Sequence, residues 1–108
     1  MSLEQEEITL QQRFEEVIAS EDKLVIREFL NEQNISDVAN LVYDNSDYET
    51  QIISHLSIRR AASVFKILDL SEQKRIINAD PGIEFYLKKE IEKMDLEIDR
   101  VKEMLSKF

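Results

Sequence analysis

Residues 34–56 read NISDVANLVYDNSDYETQIISHL, and residues 57–79 read SIRRAASVFKILDLSEQKRIINA. The two segments carry the same message in the same order. Ala39 matches Ala62, Leu41 matches Val64, Val42 matches Phe65 and Ile53 matches Ile76, each pair offset by 23 residues. Each copy opens with a small-apolar helix of about three turns, passes through a polar turn and continues into a second short helix. A hairpin of this size cannot bury its apolar face alone, so neighbouring copies must stack. The repeat therefore predicts an all-α superhelical stack of short helical hairpins, without strands.

Local signals set the expected boundaries. Asn34 stands at an N-cap position before the stripe Ile35, Val38, Ala39, Leu41 and Val42. Asp44-Asn45-Ser46 reads as a turn, and Ser46 with Glu49 as a capping box for a helix carrying Tyr48, Ile52, Ile53 and Leu56. Ser57 is expected to cap the helix that bears Ala61, Ala62, Val64 and Phe65. Asp69 with Glu72 repeats the capping box at the same place in the second copy.

Upstream, a helix is expected from about Glu4 to Ala19, with Leu10, Phe14, Val17 and Ile18 on one face and Thr9 with Gln12 as a capping pair. Ser20-Glu21-Asp22 breaks it and caps a second helix, about Asp22 to Gln33, whose inner face is Ile26, Phe29 and Leu30. Met1 to Asn34 holds nine acidic and three basic residues. That run reads first as a solvated helix face, and secondly as a surface that attracts cations.

Composition supports the helical reading and excludes several functions. A chain of 108 residues with one Gly and one Pro has few places for sheet turns. Without Cys there is no disulfide framework, thiolate nucleophile or thiolate metal site. A net charge of −9 argues against nucleic acid as a partner and against an anionic membrane surface. It leaves divalent cations and basic protein surfaces open. The apolar runs are too short for a bilayer span, and no signal peptide is visible. Met1-Ser2-Leu3 has the look of a cloning remnant, which would make the chain a fragment of something larger. An enzyme is not expected. His55 is the sole histidine and reads as a helix-end packing residue, and no Gly-rich loop could cradle a phosphate.

The stretch DKLVIREFLNEQNISDVANLVYD, followed by IISHLSIRRAASVFKILDLSEQKRIINA, resembles the N-terminal cytosolic domain of MgtE-type magnesium transporters over residues 22–79. Asp37-Val38-Ala39-Asn40-Leu41-Val42, Ala61-Ala62-Ser63-Val64-Phe65 and Asp69-Leu70-Ser71-Glu72-Gln73 carry the likeness. The middle domain of the flagellar switch protein FliG has a similar hairpin look. The magnesium-transporter resemblance implies a regulatory domain on the cytoplasmic face of the membrane, beside a CBS-domain pair and a membrane domain. Magnesium held between facing acidic surfaces would there gate transport. Asp37, Asp69 and Glu72 are the ligand candidates it carries over, and Asp69 and Glu72 also read as caps. Ser63 stands where the family often has a carboxylate, and Asp80-Pro81-Gly82 with a long helix replaces the further hairpins. The expectation is weak magnesium binding at most and no tightly bound cofactor.

Residues 81–108 form a second unit after the hairpin domain of residues 1–80. Leu87, Ile91, Met94, Ile98, Val101, Leu105 and Phe108 are spaced 4, 3, 4, 3, 4, 3, a heptad seam. Either this helix folds back over the hairpins, or it forms a coiled coil with a second copy or another helix. Its length favours the second, with Leu87, Ile91, Met94, Ile98, Val101 and Leu105 as the interface. A different function class follows from that choice: a free-standing helical adaptor or scaffold that oligomerises through its C-terminal helix.

Overall fold

Thr9 sets where the first helix begins. In the computed structural model, which describes residues 8–107, its backbone is extended and its hydroxyl accepts the Gln12 N–H while the Gln12 side chain accepts the Thr9 N–H. That reciprocal box places Thr9 outside the helix, so α1 is Leu10–Ala19 rather than a helix from Glu4. Residues 4–7 of the expected helix lie outside the described residues. Glu21 then takes a positive φ of 55° and turns the chain.

Six further α-helices follow. They are α2 (Lys23–Glu32), α3 (Ile35–Asp44), α4 (Glu49–His55), α5 (Ile58–Ile67), α6 (Leu70–Ala79) and α7 (Pro81–Ser106). No strand occurs among the described residues, and the protein is all-α. Asp22, Asn34 and Asp69 cap α2, α3 and α6 by accepting backbone N–H groups of the first turn. Proline at the first position of α7 needs no N–H partner there, and the Asp80 carboxylate accepts the Gly82 N–H.

Two expected caps are not made and the capping box at Asp69 is only half formed. Ser46 opens a short 3-10 turn, Ser46–Tyr48, without a side-chain cap, and Glu49 is buried instead of reaching back. Ser57 precedes α5 without capping it through its side chain. Its N–H donates to Asn31 Oδ1 at 3.0 Å, while Asn31 Nδ2 donates to the His55 carbonyl at 3.0 Å, so one amide of α2 clamps the α4–α5 turn. Asp69 does accept the Glu72 N–H at 2.8 Å, but its own N–H donates to the Tyr43 hydroxyl. The Glu72 side chain is turned inward.

Each helix packs on the next or the next but one: α1 on α3, α2 on α4, α3 on α5, α4 on α6 and α5 on α7. The odd-numbered helices make one layer and the even-numbered the other, which is the stack that the repeat requires. Ala39, Ala62, Leu41, Val64, Val42, Phe65, Ile53 and Ile76 are all buried, so the four repeat pairs occupy equivalent core positions. Ala61 and Ala62 are fully enclosed, which lets α5 lie close to its neighbours in the middle of the stack. The N-terminal end is closed by Phe14, edge-on to Tyr48 at 6.0 Å, and by Arg13 stacked over Phe29 at 5.4 Å.

Candidate interaction surface and the expected ligand residues

The seam of α7 divides in two. Over its first half Ile83 and Leu87 are buried, and Ile91 and Met94 pack partly against the core, on the side where α5 and α6 lie. Two ion pairs end that contact. Arg59, near the start of α5, donates to Glu97 Oε2 at 2.7 Å, and Lys66, near its end, pairs with Asp95. Asp95 and Glu97 flank the seam on opposite sides, so α5 lies across it. The hydrogen bond from Arg59 holds the Glu97 carboxylate below its ordinary range, and Glu97 in turn holds the Arg59 guanidinium above its own.

Beyond Glu97 the same stripe is uncovered. Ile98 is 46% exposed, Val101 54% and Leu105 64%, against 1% for Leu87. Leu96 and Met104 beside them are also exposed. Ten residues, 98–107, thus carry an apolar stripe of about three turns past the stack. The fold-back reading of the seam describes its first half, and the second half is left exposed. Leu87 belongs to the chain's own core and Ile91 and Met94 are partly occupied there, so of the expected interface residues Ile98, Val101 and Leu105 are the free ones.

The residues named as ligand candidates do not converge. Asp37 lies in the first turn of α3, Asp69 is the cap of α6, and Glu72 sits in the first turn of α6 with its side chain buried. Among the described residues no group of three or more His, Asp or Glu side chains is placed to hold a metal ion. The Ser63 hydroxyl donates to the Arg59 carbonyl within its own helix.

The polar cluster that does form was not anticipated. Glu49 and Glu72, 23 residues apart and therefore equivalent in the repeat, are both buried and both turn one oxygen to Arg75, at 3.5 and 3.8 Å. Their second oxygens are buried without a hydrogen-bond partner among the described residues. Arg75 thus stands between two buried carboxylates as their shared counter-charge. The repeat offset of Glu49 and Glu72 was a usable signal, whereas the arginine that joins them has no counterpart in the first copy.

An open cleft of about 500 Å³ lies beside α1, α2 and α4, lined by Ile18, Glu21, Lys23, Ile26, Tyr48 and His55 among others. The His55 ring is tied through Nδ1 to the Gln51 carbonyl at 2.7 Å. No helix among the described residues is long and apolar enough to cross a membrane. Searches with the chain found no matching family model, no significantly similar curated protein and no significantly similar solved structure. The molecule is thus placed by its own geometry, as an all-α stack of helical hairpins with a projecting C-terminal helix.

Proposed function

We propose that this chain is a non-enzymatic interaction module that self-associates through the projecting half of α7. One observation carries the proposal: the heptad seam continues past the last contact with the stack, and Ile98, Val101 and Leu105 lie open along it. A second copy fits by charge. The chain carries −9 overall, but residues 98–107 hold three basic and two acidic groups, so the projection is where two copies repel least. Sedimentation of the full chain tests this. The expected result is a species of twice the 12.7 kDa chain mass, converted to the monomer by Ile98→Asp with no loss of helix content. A monomeric mass for the unmodified chain at high concentration overturns it.

A second reading rests on the hairpin register, whose equivalent core positions support the likeness to the cytosolic magnesium-sensing domain of MgtE-type transporters. In that reading the chain is a regulatory piece of a larger protein at the cytoplasmic face of the membrane. CBS and membrane domains are then its partners, and magnesium bridges it to them. Asp37, Asp69 and Glu72 lie in three separate roles, so the isolated chain holds magnesium in the millimolar range or not at all. Calorimetric titration showing micromolar binding would point to an all-protein oxygen site and overturn that expectation.

A further inference from the structure

The seam side of α7 is not equally accessible along its length, and this constrains how two copies can meet. Up to Glu97 that side is covered by α5 and α6, fully at Leu87 and partly at Ile91 and Met94, with Arg59 and Lys66 closing both flanks. From Ile98 onward it is open. A second α7 laid along the open half in the parallel sense would run, toward its own N-terminus, straight into the space taken by α5 and α6. Laid in the opposite sense, its N-terminal half continues past the C-terminal end of the first helix, and its stack lies clear of the first. We infer that two copies pair their projecting segments antiparallel about a two-fold axis, with Ile98, Val101 and Leu105 of each on the other. This rests on the reading that the projections pair at all.

Charge favours the same sense. Residues 81–97 hold five acidic and three basic groups, and residues 98–107 hold two acidic and three basic. A parallel pair in register would set the two net-basic tips, residues 98–107, side by side. An antiparallel pair with Ile98 level with Leu105 brings Lys107 of each tip beside residues 95–97 of the other copy, where Asp95 and Glu97 already face Lys66 and Arg59. Opposed helix dipoles act in the same direction.

Because the chain has no cysteine, single labels can be placed freely. Glu92, Asp99, Glu103 and Ser106 are all exposed and make no ion pair among those described, so Glu92→Cys, Asp99→Cys, Glu103→Cys and Ser106→Cys each give one spin label per chain. Distances between labels are then measured by pulsed dipolar spectroscopy in the full chain, with helix content and melting checked for every variant. In the antiparallel pair the label separation grows by about 3 Å, twice the helical rise, for each residue moved away from the middle of the projection. Labels at 99 and 103 are then near one another, and labels at 92 far apart. Distances that stay short and flat across all four positions overturn the antiparallel sense while leaving pairing intact. Dipolar coupling at none of the four positions removes the pairing itself, and with it this arrangement. Four positions define the trend, so loss of one variant to misfolding does not decide it.

Discussion

Arg75 is the residue on which most local electrostatics depend. Its guanidinium is half exposed, yet it is the counter-charge for two buried carboxylates, Glu49 and Glu72. Arg75→Ala should therefore lower stability by about 1–3 kcal/mol, the cost of leaving buried polar groups unsatisfied, and not by the larger figure for a fully enclosed pair. Denaturant melts measure this, and a neutral result would mean that water already serves the two carboxylates. Glu97 gives a second test at the same scale. The Arg59 hydrogen bond depresses its carboxyl, so the interaction is fully present above the ordinary carboxylate range and is lost as pH falls through the depressed value. Arg59→Ala should return the Glu97 titration, followed by NMR, to the ordinary range. Both groups are solvent-exposed, so the change is expected in the titration rather than in the melting temperature. An unmoved titration would mean that Arg59 does not hold Glu97.

At the scale of the element, α5 is the hub. It packs against α3, α4 and α7, and its paired alanines are enclosed on all sides. Ala62→Leu should cost about 1–3 kcal/mol by overpacking, and a neutral outcome in thermal or denaturant melts would mean that the contact around α5 is looser than its burial indicates. Ala62 was legible as a close-contact position because it is one of the paired alanines Ala61-Ala62, and the 23-residue register makes it the equivalent of Ala39. The caps Asp22, Asn34 and Asp69 were legible for the same kind of reason, since a cap is decided within four residues of sequence. The Ser46–Glu49 box and the Ser57 cap were not. Glu49 is drawn inward to Arg75, 26 residues on, and the α4–α5 turn is held by Asn31, 26 residues before Ser57. Partners that distant leave no mark in local spacing. Arg60 of α5 likewise donates to the Leu30 and Gln33 carbonyls at the end of α2, a closing contact invisible to the sequence. Asp69 and Glu72 sat in a recognisable capping pattern, but whether they would face each other, water or an arginine depended on how α4 and α6 meet.

Over the whole molecule, stacking makes the structure nearly one-dimensional. Each helix depends on its near neighbours, and the stack ends where α5 and α6 meet the first half of α7. The radius of gyration, 16.6 Å, exceeds the roughly 13 Å of a compact chain this long, and the longest extent is 57 Å. A projecting helix accounts for that elongation. The seam could be read from sequence, but the point at which it leaves the stack could not, because that depends on the width of the two layers beneath it. Two truncations separate the halves. A chain ending at Glu97 keeps Ile83, Leu87, Ile91 and Met94, so it should fold as a monomer whose melting temperature does not change with concentration. The full chain, if paired, should melt higher as concentration rises, by mass action. A chain ending at Ala79 loses two buried side chains and uncovers α5 and α6, and should lose several kcal/mol of stability, since each buried large apolar side chain contributes about 1.5–3 kcal/mol. Sedimentation and thermal melts of the three chains check all of this. If the chain ending at Glu97 proves as unstable as the one ending at Ala79, the projecting half belongs to the core after all. If all three melt alike, α7 contributes nothing to the stack, and its burial of Leu87 is not an energetic contact.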